Sequence, residues 1–408
     1  MDIEKDNHFY FARQPILDTQ NTIVAYELLF RNNTLNSLTD CPRNATSQVL
    51  MSTLNRIGLQ DIVGETSKAY INITQEMLFD TNISMIPKNN FILELLETIS
   101  ITPEVIRRVQ ELHQNGYTFA LDDLLCNDTH IQEVKPLLPY VSIIKLEANQ
   151  DKKLLEKYVP LFKKMNLKVL AEKVETQEEY LYYKSIGCEL FQGYFFARPT
   201  MITGTKIDPE LINIFKVISE VSSQNNVKDA AYLFESDAAL TFQLLRYINS
   251  ASFSFRQSIK TIKQALQLLG PHKLIQWLTL MTYVIESGDK STSPLLHLAS
   301  ERANIMAALC SLTHDEASQD IAAFIGLLSL VDALCKKPMK ELLTQLHIDI
   351  SLQKILLEKE GTLGIFLELV LALEQQDHTK IDDILETLDI NFQDFAYSLA
   401  KAYQTKMH

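Results

Sequence analysis

The sequence lacks the features that would assign the chain to a membrane, to the secretory route or to a zinc-binding class. No run of residues is apolar and long enough to cross a bilayer, and the N-terminus MDIEKDNHF has neither the basic nor the apolar region of a secretory signal. The five cysteines are scattered and form no CxxC pair, which indicates reduced thiols rather than disulfides or zinc ligands. We therefore expect a cytoplasmic protein without a membrane partner.

Glycine-rich phosphate loops and an excess of positive charge are also missing. Neither GxGxxG nor GxxxxGK occurs, so the common nucleotide-binding open sheets lose support. The formal net charge of -13 at pH 7 argues against binding a nucleic-acid polymer, because such proteins neutralise phosphates with Lys and Arg. A small anionic ligand is still compatible with this charge, since the local field of a pocket can oppose the global one.

The first half of the chain alternates strand-like and helix-like runs. A hairpin formed by FARQPIL and TIVAYELLF precedes strands in KAYINIT, FILELLE, YTFALDD, VSIIKLE, KVLAEKV and LFQGYFF. Helical patterns fall near residues 47–57, 103–114, 154–165 and 177–186. Repeated strand–helix units imply a parallel sheet, and this many of them favour a closed, TIM-like (β/α) barrel. We assign the barrel to residues 1–203.

The second half has a different pattern. From Leu211 onward, apolar residues recur at helical spacing with few β signals, as in AALTFQLLRYI, KLIQWLTLMTYVI and IAAFIGLLSLV. At 408 residues the chain is also too long for one ordinary domain. We therefore predict a separate all-α domain over residues 204–408.

Polar side chains stand where the predicted strands end. The buried strand Tyr117–Leu121 runs into Asp122 and Asp123, and adjacent carboxylates there repel each other unless a cation lies between them. A helix cap or a turn is the simpler explanation of such a pair. Repetition favours the cation, because the other strands end in similar residues: Glu27, Asn72, Glu94, Lys145, Glu172 with Glu175, and Gln192.

The carboxyl ends of barrel strands meet at one rim, so these side chains are expected to form one acidic site. Oxygen ligands of this kind suit Mg²⁺ or Mn²⁺ better than zinc. Two such ions, bridged by a carboxylate such as Asp122, would activate a water and hold a phosphodiester for attack. In this interpretation Lys145 neutralises charge near the water and Glu172 takes its proton.

With these motifs the first half resembles an EAL domain, the barrel family that hydrolyses cyclic di-GMP to the linear dinucleotide pGpG. The resemblance is carried by QPI followed by ELLFR, INIT, ELLE, LDD, IIKLE, AEKVE and LFQGYFFARP. It implies metal ligation by Glu27, Asn72, Glu94, Asp122, Asp123 and Glu175. It further implies catalysis by Glu172 and Lys145, substrate binding by Gln14, Arg31 and Gln192, and support of a neighbouring loop by Glu97.

Two departures from the family pattern concern the site. The loop reads DDLLCND where the family has DDFGTG, and Leu125 and Asn127 reach glycine geometries less readily. Lys173 replaces the glycine of AEGVE and is expected to pair with Glu172 or Glu175. Members of the family usually form homodimers. Because the altered loop contributes to dimer contacts in the family, a homodimer is an open expectation for this chain.

The second half resembles an HDOD domain, a non-catalytic relative of the HD phosphohydrolases. SDAALTFQLLRYINSASF and SIKTIKQALQLLGPHKL carry this resemblance. Ser329 and Leu330 stand where an HD enzyme has its adjacent His and Asp ligands. His297 is isolated and is expected to be a hydrogen-bonded core residue. We assign this half no reaction and expect it to bind a protein partner or to regulate the barrel.

Three hypotheses about function follow, in order of preference. The first is a cyclic di-GMP phosphodiesterase using two Mg²⁺ or Mn²⁺ ions, in a bacterial signalling context such as motility or biofilm formation. The second is a receptor that binds cyclic di-GMP with weak or no turnover, suggested by DDLLCND and Lys173. The third is a protein-interaction module that ignores the nucleotide.

Overall fold

The structure is a computed structural model that describes residues 9–32, 68–197, 238–248, 262–287, 294–312, 316–345 and 350–404, with single positions between these ranges. It divides into two compact units, Met1–Arg198 and Pro199–His408. The predicted domain boundary at residues 203 and 204 and the predicted helix near 47–57 lie outside the described residues.

The first unit is a closed barrel of eight strands in sequence order. The strands are β1 (Phe9–Asp18), β2 (Ile23–Asn32), β3 (Lys68–Ile73), β4 (Phe91–Leu95), β5 (Thr118–Leu121), β6 (Ile143–Glu147), β7 (Lys168–Glu172) and β8 (Leu190–Gln192). β1 runs antiparallel to both β2 and β8, and the remaining neighbours are parallel. The predicted TIM-like barrel is therefore confirmed.

The antiparallel first strand follows from a tight turn at its end. The Asp18 carboxylate accepts hydrogen bonds from the backbone N–H groups of Gln20 at 2.8 Å and Thr22 at 2.9 Å. Asn21 adopts φ +59°, a left-handed conformation that Asn tolerates well. The predicted hairpin is confirmed, and it brings the early part of β1 to the rim where the other strands end.

Five helices are described between the strands of the barrel unit. They are α1 (Gln75–Phe79), α2 (Pro103–Gln114), α3 (Asp128–Val134), α4 (Lys152–Lys164) and α5 (Gln177–Ile186). α4 begins earlier than the predicted residue 154 because the Asp151 carboxylate caps it, accepting from the N–H of Lys153 at 2.8 Å. Thr176 and Glu179 form a capping box at the start of α5. These caps fix where the strand-to-helix loops end.

An apolar floor closes the interior of the barrel. Each strand contributes one side chain to it: Ile16, Ala25, Tyr70, Ile92, Ala120, Ile143, Leu170 and Leu190. All are buried. The floor separates the lower barrel from the rim, so polar groups above it stand on a rigid, dry base.

The second unit is helical in every described element, which confirms the predicted all-α class. Its helices are α6 (Ala238–Ile248), α7 (Ile262–Ser287), α8 (Pro294–Leu312), α9 (Glu316–Leu328), α10 (Val331–Cys335), α11 (Met339–Gln345), α12 (Ile350–Glu358), α13 (Gly361–Gln375), α14 (His378–Thr387) and α15 (Phe392–Gln404). No described helix in either unit is long and apolar enough to span a membrane.

α7 is interrupted at Gly270, where φ is +73° and Pro271 follows, so the predicted helical run KLIQWLTLMTYVI forms a helix of its own after the kink. Two details of the helical unit differ from the sequence interpretation. The predicted run IAAFIGLLSLV is not one helix, since α9 ends at Leu328 and a turn precedes α10. His297 is exposed on α8, so its prediction as a core residue is wrong.

Candidate active site

A polar layer lies directly above the apolar floor. Because side chains two residues apart on a strand share a face, the residue two positions nearer the rim on each strand also points inward. This rule selects Gln14, Glu27, Asn72, Glu94, Asp122, Lys145, Glu172 and Gln192. Asp122 follows β5 immediately and continues its ladder, donating its N–H to the Leu95 carbonyl at 3.0 Å. The strand-end residues predicted from the sequence are therefore brought to one level of the barrel.

Lys145 lies at the centre of this layer and is 1% exposed. Its Nζ atom is 2.7 Å from Glu94 Oε1, 2.7 Å from Asp122 Oδ1 and 2.8 Å from Glu172 Oε1. Glu27 Oε2 is somewhat farther away, at 3.3 Å. One ammonium thus faces four carboxylates that come from four different strands or strand ends.

Amide side chains orient the Glu27 carboxylate from the other side. Gln192 Nε2 donates to Glu27 Oε2 at 2.7 Å and to Gln14 Oε1 at 2.6 Å. Asn72 Nδ2 donates to Glu27 Oε1 at 3.3 Å. Glu27 is therefore held by neutral donors as well as by Lys145, which fixes both of its oxygens.

The pKa values of the carboxylates around Lys145 are shifted in different directions. Burial favours the protonated form of Glu27, yet Lys145 and the Gln192 hydrogen bond hold its pKa below the ordinary value. Burial and the neighbouring Glu27 charge raise the pKa of Glu94 well above its ordinary value. Burial also raises the pKa of Glu172, to about 8, although Lys145 opposes the shift. With all four carboxylates ionised, the layer would carry more negative charge than one ammonium neutralises, and the raised pKa values of Glu94 and Glu172 reflect this crowding.

Several oxygens of the layer are buried without a hydrogen-bond partner among the described residues. They are Asn72 Oδ1, Glu94 Oε2, Glu172 Oε2 and Gln192 Oε1. A buried polar atom left in this state is costly. Carboxylate and amide oxygens are the ligands that Mg²⁺ and related hard cations prefer. The donor set therefore fits a divalent cation, which would satisfy these oxygens and balance the excess negative charge.

A second carboxylate group adjoins the layer at the end of β5. Glu97, Asp122 and Asp123 each offer an oxygen, and these oxygens lie within 4.8 Å of one another. Asp123 adopts a left-handed φ of +44°. Burial, with the Asp122 and Glu147 charges, raises the pKa of Asp123 to about 6. The structure thus brings Glu97 next to the Asp pair.

The altered loop DDLLCND is held by side chains that the sequence interpretation did not include. Gln150 brackets it, donating from Nε2 to the Leu124 carbonyl at 2.8 Å and accepting from the Cys126 N–H at 2.7 Å. His130 Nδ1 accepts from the Leu125 N–H at 3.0 Å. These partners lie outside the loop residues of the motif, so no local sequence signal identifies them.

The expected backbone cost of the altered loop is absent at the substituted residues. Asn127 has φ −132°, and Leu125 is not among the described residues with positive φ. Asn127 instead caps α3, accepting from the His130 N–H at 2.8 Å. Neither substituted residue adopts a left-handed conformation, and a weakening of catalysis by the altered loop stays a prediction. The left-handed residue of this loop is Asp123, and an Asn before a helix is a cap signal that the sequence does offer.

Lys173 does occupy a conformation that favours glycine, with φ +54°. The ion pair described for its ammonium is with Glu147, at the end of β6, rather than the predicted Glu172 or Glu175. Glu175 is exposed in the loop after β7. Arg31 lies on β2, and its side chain is outside the described residues. Glu147 was not predicted as a partner because it lies on the neighbouring strand, β6, and is remote from Lys173 in the sequence.

Gly193 follows Gln192 and makes the end of β8 possible. At φ +137°, a Cβ on this residue would lie 2.2 Å from the Val174 carbonyl oxygen. Val174 also donates its N–H to the Gln192 carbonyl at 3.0 Å. The close backbone approach requires glycine, and it fixes Gln192 in the polar layer.

Together these features define a class: a closed (β/α) barrel whose rim holds a buried, carboxylate-rich site suited to divalent cations. Two comparisons specify it further. The model of the EAL domain matches residues 2–199, and that of the HDOD domain matches residues 209–347. The chain belongs to the EAL family, in the two-domain form in which an HDOD domain follows the barrel.

Two relatives match nearly the whole chain. The uncharacterized protein YuxH of Bacillus subtilis (strain 168) is 30% identical, covering 93% of this chain and 94% of its own. The cyclic di-GMP phosphodiesterase CdgJ of Vibrio cholerae is also 30% identical, covering 96% of this chain and 91% of its own. A solved EAL domain protein from Listeria monocytogenes EGD-e has a TM-score of 0.37 at 18% identity, covering 48% of this chain and 94% of its own.

Proposed function

We propose that this protein is a cyclic di-GMP-specific phosphodiesterase that hydrolyses cyclic di-GMP to pGpG. The observation that carries the proposal is the polar layer, in which four carboxylates surround Lys145 above a closed apolar floor. The full-length similarity to CdgJ, a cyclic di-GMP phosphodiesterase, supports the choice of substrate. The carboxylates of the polar layer would repel an anionic phosphodiester, so cations must bind there before the substrate does.

The residues that would hold two Mg²⁺ or Mn²⁺ ions are the oxygen donors of the layer and the adjoining Asp pair. We assign ligation to Glu27, Asn72, Glu94, Asp122, Asp123 and Glu175. The unpartnered oxygens of Asn72 and Glu94 support this assignment, whereas the exposure of Glu175 makes it the least supported ligand. Bound ions of this kind supply an activated water and charge stabilisation for phosphodiester cleavage.

The remaining side chains of the rim have roles in proton transfer and substrate binding. Glu172, 2.8 Å from Lys145, is assigned to take the proton of the attacking water. Bound cations would lower its pKa from about 8 and so favour the ionised form that this role needs. Lys145 stabilises negative charge there. Gln14 and Gln192, hydrogen-bonded to each other at 2.6 Å, stand at the β1–β8 edge and are assigned to substrate binding with Arg31. Glu97 is assigned to support of the DDLLCND loop.

Hydrolysis of the purified substrate tests the proposal. The protein is incubated with cyclic di-GMP and Mg²⁺ or Mn²⁺, and the linear product pGpG is separated by chromatography. We expect product from the wild type and none above background from Glu27→Ala, because Glu27 contacts both the amides and Lys145. Equal, background-level signals from the two proteins would end the proposal.

A second candidate function is binding of cyclic di-GMP without turnover, favoured by Lys173. Lys173 follows Glu172 in the sequence, and its positive charge lowers the pKa of Asp123 against the effect of burial. It therefore adds positive charge where metal ligands are assigned. Calorimetry separates the two functions. Nucleotide binding that persists in chelator, without pGpG formation in metal, favours the receptor. No binding under either condition removes it and leaves a role in protein interaction.

For the helical unit we propose partner binding or regulation rather than chemistry. Ser329, at the place of an HD metal ligand, is engaged by Arg302 Nη1 at 2.8 Å from its Oγ, so the residue serves an internal contact. We further propose that the protein is cytoplasmic. Affinity capture with the full chain, compared with a chain carrying surface changes on this unit, tests the partner. Sedimentation of the purified protein tests a homodimer.

A further inference from the structure

The contacts of Lys145 exceed what one lysine ordinarily makes. An ammonium has three N–H donors, yet four carboxylate oxygens lie within 3.3 Å of Nζ. Carboxylate oxygens that converge from several strands on one point are typical of a set of metal ligands rather than of a salt bridge. The ammonium therefore stands at the focus of the assigned ligands.

Lys145 is the counter-charge that the structure describes for these four carboxylates. No other described ion pair reaches Glu27, Glu94, Asp122 or Glu172. Without Lys145 these carboxylates would be buried side by side with no counter-charge, which is strongly unfavourable. Lys145 is thus the group that permits the four side chains to converge in the absence of another cation.

We propose that Lys145 is an internal substitute for the metal: it organises the ligand carboxylates before metal binding, and the entering cation displaces its ammonium from them. The inference rests on the proposed metal-dependent function. It makes Lys145 a positioning residue in addition to its assigned part in hydrolysis. It also means that metal and ammonium compete for the same oxygens, since the assigned ligands Glu94 and Asp122 each contact Nζ at 2.7 Å.

Competition fixes the direction of the effect that a substitution has on metal binding. Lys145→Met keeps the length and apolar stem of the side chain but removes the charge. A divalent ion then meets no repulsion from a fixed ammonium a few ångströms away, an interaction that is large in a buried site. If Lys145 acted only in catalysis, the substitution would lower the hydrolysis rate and leave metal affinity unchanged.

The experiment measures Mn²⁺ affinity by calorimetry and thermal unfolding in chelator and in Mn²⁺, without nucleotide. We expect Lys145→Met to bind Mn²⁺ at least about tenfold more tightly than the wild type. We also expect it to have the lower Tm in chelator and the larger rise in Tm on adding Mn²⁺. Lys157→Met is the matched control, since it removes an exposed ion pair with Asp128 away from the rim; its Mn²⁺ affinity should equal that of the wild type.

Three outcomes would overturn the inference. A Lys145→Met variant that folds in chelator and binds Mn²⁺ no more tightly than the wild type would defeat the inference while the proposed function stands. A variant that stays unfolded even in saturating Mn²⁺, judged by circular dichroism, would equally defeat it, because the metal should replace the missing charge. If the wild type itself bound no Mn²⁺, both the inference and the metal-dependent function would fall.

Discussion

The two units of this protein bury charge in opposite ways. In the barrel, Lys145 faces four carboxylates, and oxygens of Glu94 and Glu172 have no hydrogen-bond partner in the part of the chain that the structure describes. In the helical unit, Arg302 forms a two-pronged pair with Glu374, at 2.7 Å from Nε to Oε1 and 2.8 Å from Nη2 to Oε2. The third prong, Nη1, donates to Ser329. One buried cluster is incomplete, and the other is satisfied by its own chain.

The difference separates a site from a structural cross-link. An incomplete buried cluster costs stability until a ligand completes it, so it persists where binding or chemistry requires it. In a planar, bidentate ion pair the guanidinium and the carboxylate bind each other. Such a pair stabilises one arrangement of helices and is not arranged to bind a ligand. The contrast supports a chemical role for the cluster around Lys145 and a packing role for the cluster of Arg302, Glu374 and Ser329. Substitutions in the two clusters should therefore act on different quantities.

The largest expected effect is on activity, from Glu172→Gln. The amide keeps the shape of the side chain but cannot take a proton, so the rate of cyclic di-GMP hydrolysis should fall by about 10²–10⁴-fold. The Tm in chelator should not fall, because the change removes one of the crowded carboxylates around Lys145. Single-turnover hydrolysis and thermal unfolding measure the two quantities. A loss of both activity and Tm would show that the barrel cluster is structural, and the comparison would fail.

The next effect is on stability, from Arg302→Met. The substitution leaves Glu374 buried without its partner and should lower the free energy of unfolding of the helical unit by about 3–5 kcal/mol. Urea unfolding followed by circular dichroism measures it. The double variant Arg302→Met with Glu374→Met should recover most of the loss, because no unpaired charge is left inside. A single variant as stable as the wild type would contradict the role of a cross-link.

The sequence predicts the barrel cluster far better than the helical one, for a physical reason. Strand ends of a barrel meet at one rim, so Glu94, Asp122 and Lys145 could be grouped from their places in the strands alone. The pair of Arg302 with Glu374 spans 72 residues and joins two helices whose packing no local pattern specifies. Helical periodicity predicts which face of a helix is buried but not which helix it meets.

Within the barrel, the limit of sequence reasoning lies in the loops. The two-residue step from the floor to the polar layer is a property of every strand, whereas loop contacts depend on distant side chains. Gln150 and Glu147 illustrate this, since each holds a loop that belongs to a different strand. The pattern for Lys173 did predict an ion pair but named the wrong carboxylate, because Glu147 is close to it on the adjacent strand and not in the sequence.

A smaller effect is expected where the two units each need a glycine. On Gly326, in α9, a Cβ would lie 2.6 Å from the backbone nitrogen of Ala303 in α8. Gly326→Ala should therefore push these helices apart and cost about 1–3 kcal/mol of stability. Thermal unfolding measures the loss. Gly193→Ala is the counterpart in the barrel and should lower activity as well, because Gly193 holds the residue next to it, Gln192, in the polar layer. Equal activity losses from the two variants would erase the distinction.

The smallest expected effect concerns the rim itself, in Lys173→Gly. The lost ion pair with Glu147 is largely exposed on the Lys173 side, at 67%, and such pairs contribute about 0.2–1 kcal/mol. Glycine also relieves the left-handed backbone at φ +54°, so the two changes oppose each other. The free energy of unfolding should change by less than about 1 kcal/mol.

Glu147→Gln breaks the same ion pair without changing the backbone, so it is the control for the effect of the glycine on backbone strain. Lys173→Gly should be at least as stable as Glu147→Gln in urea unfolding, because only the former gains backbone freedom. A loss of several kcal/mol would mean that the charge at the rim belongs to the buried cluster and that the cluster is larger than the polar layer.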